Sequence, residues 1–161
     1  MFPRPRYHGF IQSTIARLED TVKYSQAANY ALHTMLYFVA LPPGETVGVQ
    51  QLAARQRLSP TYLSKILARL VKAGLIESSP GVNGGYRLIQ NRADVSFLDV
   101  IQAIEGRASW FRCDAGLQHS GCLIQEVMAD AEGRMEAYLR ERKLIELVGR
   151  PGQPSYISAP A

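Results

Sequence analysis

The chain has 161 residues, 47% of them apolar and 20% charged, with a net charge of +4, enough for one domain with a long accessory helix and too apolar for global disorder. No apolar run approaches the roughly 18 residues that a bilayer span requires, which excludes a membrane-spanning helix. The first twenty residues carry no apolar stretch ahead of a small-residue cleavage site, so they do not read as a secretory signal. The two cysteines, Cys113 and Cys122, therefore read as thiols or metal ligands in a reducing cytoplasm.

The distribution of charge says more than its sum. From Lys23 to Arg92 there are eight basic residues and two acidic ones, a net of +6, whereas from Ala93 to Ala161 seven basic residues face ten acidic ones, a net of −3. A basic segment followed by an acidic one suggests that only the first meets a polyanion.

In chain order, residues 1–21, with Pro3, Pro5 and Gly9, read as a poorly ordered lead-in. Ser25 to Ala40 carries apolar residues at three- and four-residue steps (Ala27, Tyr30, Ala31, Met35, Phe38, Val39) and stops at Pro42-Pro43-Gly44, which predicts a helix. Val49 to Arg57 reads as a short second helix. Ser59-Pro60 opens a third: serine caps free N–H groups, proline occupies the first helical position without losing a bond, and Gly74 ends the run. Leu75 to Ser79, a glycine-rich turn, and Tyr86 to Leu88 form a hairpin. Ser96 caps a helix from Phe97 to Glu105. A loop with Trp110, Cys113, His119 and Cys122 follows, then a long helix from about Leu123 to Leu147. Gly149 to Ala161, with three prolines, reads as a disordered tail.

Helix, helix, helix, hairpin is the order of a winged helix-turn-helix. The expected fold is mostly α, with a small β-hairpin wing and a long C-terminal dimerisation helix. The expected organisation is a DNA-binding domain over 22–92, a sensor loop and dimerisation helices over 93–148, and a tail over 149–161.

The helix after Ser59 has two faces. Leu63, Ile66, Leu67, Leu70 and Val71 form an apolar stripe, and Thr61, Lys65, Arg69 and Lys72 lie opposite, flanked by Tyr62 and Ser64. The helix contains no acid, which favours a phosphate-facing role over simple solubility. Recognition helices place N-terminal residues on base edges and later cations on phosphates, so Thr61, Tyr62 and Lys65 are candidates for bases, with Ser59 at the cap, and Arg69 and Lys72 for the backbone. At the hairpin, Gly81, Gly84 and Gly85 allow close approach, Asn83 tolerates the same conformations, and Arg87 can reach a minor groove or phosphate. A nucleotide-binding glycine turn would need a helix directly after it, and a strand follows instead. The ordinary alternative is an amphipathic helix whose cations serve solubility.

Lys23-Tyr24-Ser25, Tyr30-Ala31-Leu32, Leu58 to Leu63, Leu70 to Ile76, Gly84 to Leu88 and Asp99 to Gly106 together resemble the Rrf family of winged helix-turn-helix transcription regulators, of the IscR/NsrR/CymR type, over about residues 22–148. The resemblance implies a homodimer on a palindromic operator in double-stranded DNA, with long C-terminal helices crossing and control by iron-sulfur, nitric oxide, redox or metabolite signals. Because family chains usually begin at the position of Val22, it also raises the reading that residues 1–21 lie upstream of the true start.

The same resemblance places Cys113 and Cys122 in the loop where cluster-binding members keep three cysteines. His33, one turn after Asn29 on the first helix, stands where a partner subunit's ligand would be. Cys113, Cys122 and His33 are thus candidate ligands of a two-iron two-sulfur cluster. A thiol–disulfide switch and inert cysteines remain open. The seam expected between subunits comprises Val127, Ala131, Met135, Tyr138 and Leu139, because an apolar side running from Leu123 to Leu144 is too long for so small a chain to bury alone. No nucleophile elbow, phosphate loop or metal-binding His-Glu pair on a helix suggests an enzyme. The rival readings are a regulator with inert cysteines, controlled by a metabolite or protein partner, and a dimeric interaction module that does not bind DNA.

Overall fold

In a computed structural model of the chain, the residues described are 24–81, 84–107, 109, 111 and 122–152. The lead-in, most of the tail, and Asn83, Cys113 and His119 lie outside them. Five α-helices and one hairpin follow in the expected order: α1 Gln26–Ala40, α2 Val49–Gln56, α3 Pro60–Lys72, β1 Ile76–Ser79, β2 Gly85–Leu88, α4 Phe97–Glu105 and α5 Leu123–Glu141, then a 3-10 turn Leu144–Leu147.

Local chemistry sets most boundaries. Ser25 Oγ accepts the Ala28 N–H and starts α1, and Ser59 Oγ accepts the Tyr62 N–H and starts α3 with Pro60 behind it. Each cap satisfies one of the N–H groups that a helix start leaves without a partner. At α4 the arrangement is reciprocal: Ser96 Oγ accepts from the Asp99 N–H, and Asp99 Oδ2 accepts from the Ser96 N–H, a capping box. Arg57 closes α2 in the left-handed conformation, with φ 55°, and Gly74 does the same after α3 with φ 71°.

α1 forms the centre of the fold. Ala28, Ala31, Met35 and Val39 are fully buried, and the helix packs against α3, α4, β2 and the 3-10 turn. α3 contributes Leu63, Ile66, Leu67 and Leu70, all nearly inaccessible. This is the stripe the spacing predicts, with Val71 half-buried at its margin. The strands pair antiparallel, Ile76 opposite Leu88 and Ser79 opposite Gly85. Val47, before α2, adds a rung through two 2.9 Å bonds with Tyr86, which ties the hairpin base to the entry of α2.

The last helix ends earlier than its spacing suggests. α5 stops at Glu141, Arg142 is extended, and Lys143 bridges antiparallel to Ser96. There the Leu144 N–H donates to Val95 O at 3.0 Å and the Phe97 N–H to Arg142 O at 3.2 Å. Leu144 then joins the same buried core cluster as Val95 and Val100. The core therefore draws on residues from both sides of position 92. No helix among the described residues is long and apolar enough to cross a membrane.

Candidate nucleic-acid interface

The sequence-predicted base-reading residues share the outward face of α3. Thr61, Tyr62 and Lys65 are exposed there, and Lys72 follows at the C-terminal end. Ser59 is spent on the cap, and Ser64 Oγ turns back to donate to Pro60 O at 2.8 Å. Tyr62 has a partner that the sequence did not single out. The half-buried Tyr30 of α1 meets its ring edge-on, with centroids 6.0 Å apart and planes at 87°, the T-shaped geometry that aromatic quadrupoles favour.

Tyr30 is itself anchored. Its carbonyl accepts the Thr34 hydroxyl at 2.8 Å, and Thr34 Oγ1 accepts from Gln56 Nε2 at 2.7 Å. A short polar chain thus runs from the end of α2 to the residue that braces Tyr62. Thr34 is fully buried, where an unmet hydroxyl would be costly.

Arg69 has an intramolecular partner. Its side chain is exposed, yet Nη1 donates to the Ile104 carbonyl at the end of α4, 3.0 Å away. In the hairpin Arg87 and Glu77 stand directly opposite on paired strands and form an ion pair. At Gly84 the position a Cβ would take is 2.2 Å from Ser79 O, and at Gly85 it is 2.6 Å from Val47 O. Backbone packs too closely at both sites for any side chain. Gly84 closes the turn by donating to Gly81 O at 2.9 Å.

The residues expected at a subunit seam line α5, which has no buried residue. Val127 is 68% exposed and Tyr138 57%. Ala131 is exposed, and Met135 and Leu139 are half-buried. Leu123 and Ile124 add to the same exposed apolar surface, at 74% and 65%. Of the expected sensor residues, Cys122 is half-buried at the N-cap of α5 and makes no capping bond with its side chain. His33 sits half-buried on α1, where burial holds its imidazole below the ordinary pKa of 6.5. Among the described residues no three His, Cys, Asp or Glu side chains gather as a metal site.

A capped, acid-free helix on a helix-turn-helix, flanked by a two-stranded wing, defines a winged-helix transcription regulator. Residues 24–150 match the Rrf2 family, described as iron-dependent transcriptional regulators. The chain belongs to that family, whose members bind DNA as regulators and are not enzymes. It is 34% identical over 137 residues to YwgB of Bacillus subtilis, described as a candidate helix-turn-helix regulator, covering 82% of this chain and 88% of that one. To the regulator IscR of Vibrio atlanticus it is 28% identical over 130 residues, 79% of this chain and 75% of that one. Among solved structures, T. potens IscR matches with a TM-score of 0.64 at 27% identity, over 81% of this chain and 88% of that chain. The B. subtilis cysteine regulator CymR shares the fold, with a TM-score of 0.68 at 24% identity over 79% of this chain and 96% of that chain.

Proposed function

We propose that the protein works in the cytoplasm as a homodimer that recognises a palindromic operator in double-stranded DNA upstream of its own or an adjacent gene. The observation that carries this reading is α3. Its inner stripe is buried, its outer face presents Thr61, Tyr62, Lys65 and Lys72, and it holds no carboxylate. Thr61, Tyr62 and Lys65 address base edges, and Lys72 addresses phosphates. The wing reaches the flanking groove through the backbone at Gly84, through Asn83 and through Arg87, whose pairing with Glu77 must loosen for it to grip a phosphate. The apolar side of α5, through Val127, Ala131, Met135, Tyr138 and Leu139, packs against its twin and sets the spacing of two recognition helices.

Fluorescence anisotropy with duplexes from the upstream region tests this reading. The wild type should prefer one palindromic site over random duplex and lose affinity steeply as salt rises. Lys65→Ala should relax that preference. Equal affinity for all duplexes, or none for any, would overturn the reading, and a salt-insensitive association would favour a protein-binding module instead.

For the signal, we infer that Cys113 and Cys122 are thiolate ligands of a two-iron two-sulfur cluster, completed by His33 of the partner subunit. Two features support thiolate and imidazole ligation. Cys122 lies at the N-terminus of α5, where a helix dipole favours a thiolate, and the lowered pKa of His33 keeps its imidazole neutral, the form that binds metal. Three such groups leave one position of a four-ligand cluster to another donor. When bound, the cluster would supply one-electron redox chemistry and sensitivity to oxidants. Anaerobic purification decides the matter: coloured protein containing iron and sulfide supports the cluster. Colourless protein with two titratable thiols rejects it, and the thiol switch then requires that oxidation join them.

A further inference from the structure

Arg69 does not behave like the other cations of α3. Lys65 and Lys72 make no side-chain hydrogen bond or ion pair among the described residues, whereas Arg69 Nη1 is committed to Ile104 O at 3.0 Å. That carbonyl belongs to the last turn of α4, where C=O groups lack helical partners and carry the negative end of the helix dipole. Ile104 is itself only 7% exposed, so a charged donor arriving from a neighbouring helix meets a need that water serves poorly there. The adjoining residue has a second tie: Glu105 Oε1 accepts the Ser25 N–H at 2.8 Å. One turn of α4 therefore anchors both the N-cap of α1 and the recognition helix, and Gly106, at φ 82°, ends that turn.

We propose that Arg69 is a positioning residue that docks α3 onto the end of α4 and so fixes the pose of Thr61, Tyr62 and Lys65. Sequence pattern alone assigns Arg69 to a phosphate. The Ile104 bond assigns it to the protein's own frame, with the phosphate role falling to Lys72. A lysine is a poor replacement, because its point charge lacks the planar fork of the guanidinium. The proposal rests on the DNA-binding reading, but its first readout needs no DNA.

The test compares Arg69→Lys, Arg69→Gln and Lys72→Gln by amide hydrogen exchange on the free protein and by binding to operator and random duplex across a salt series. Arg69→Lys should speed exchange in the last turns of α3 and α4 and lower the preference for operator about tenfold, leaving random-duplex affinity and salt slope unchanged. Lys72→Gln should leave exchange alone, weaken both duplexes equally and reduce the slope by about 0.9, the signature of one lost phosphate contact. The proposal is overturned if Arg69→Lys matches wild type in exchange and preference, or if Arg69→Gln reproduces the Lys72→Gln pattern. Wild-type protein that binds no duplex would sink the DNA-binding reading while exchange still decided the role of Arg69.

Discussion

The rings of Tyr30 and Tyr62 meet edge to face at 87° across 6.0 Å, so a residue of the central helix holds the one aromatic of the recognition helix in place. Edge-to-face pairs are worth about 0.5–1.5 kcal/mol. Tyr30→Phe keeps the ring and should leave operator preference unchanged, whereas Tyr30→Leu should lower it. Tyr62→Leu should lower it further, and in the double variant the two losses should not add. A double-mutant cycle on operator and random duplexes measures this coupling. Additive losses would mean that Tyr30 does not set the Tyr62 pose.

Val127 is 68% exposed on α5, so a carboxylate there disturbs nothing within one protomer. Val127→Glu should therefore leave the helical circular dichroism signal intact and give monomers in light scattering at micromolar concentration, with operator binding lost. Met135 is half-buried on α5 and lies near Tyr24, whose hydroxyl sits 3.8 Å from the Met135 sulfur; Met135→Glu therefore perturbs the protomer itself. It should cost stability as well as assembly. Wild-type protein that is monomeric under the same conditions contradicts the seam.

Gly85 lies where a Cβ would fall 2.6 Å from the Val47 carbonyl oxygen. Gly85→Ala must push β2 away from Val47, break at least one of the two Val47–Tyr86 bonds, and tilt the wing. The expected cost is about 1–3 kcal/mol in urea unfolding, together with weaker binding to operator. Gly44→Ala, by contrast, meets nothing within 4 Å of its Cβ and suffers only from φ 82°, so it should spare DNA binding.

Burial lowers the pKa of His33 below 6.5. The folded state then resists protonation more than the unfolded chain does, so this contribution is fully present above about pH 6.5 and is lost as pH falls through that value toward the folded pKa. In metal-free protein the urea midpoint should decline between pH 7.5 and pH 5.5, and His33→Gln should flatten that decline. An unchanged slope in the variant would show that other groups set it.

Sequence and structure agree wherever the determinants are local. Ser59-Pro60 and Ser96 with Asp99 fix helix starts through bonds spanning three residues, and the apolar steps of α3 report its buried face directly. The end of α5 was hidden for the opposite reason. Leu144, Ile145, Leu147 and Val148 continue a helical spacing, and what breaks the helix is the pairing of Lys143 with Ser96, 47 positions earlier in the chain. Arg69 and Tyr30 escaped for related reasons. The partner of Arg69 is a backbone carbonyl, which leaves no trace in side-chain pattern, and a half-buried tyrosine on an amphipathic helix reads as ordinary core. The proposed sensor residues Cys113 and Cys122 were legible as chemistry but not as geometry, because spacing in a loop does not fix what its side chains approach.

The seating of Leu144 between Val95 and the central helix has a consequence for biosynthesis. The hydrophobic centre around α1 and α3 is not closed until a residue that follows α5 has left the ribosome. A nascent chain that has exposed only the recognition helix and the wing lacks Leu144, whose side chain is 1% accessible in the finished fold and whose loss from such a site costs about 2–5 kcal/mol. An emerging chain thus gains a stably seated α3 only after α5, the proposed dimerisation helix, has been made. Stopping translation before Lys143 should yield protease-sensitive chains rather than monomeric DNA binders that compete for the operator.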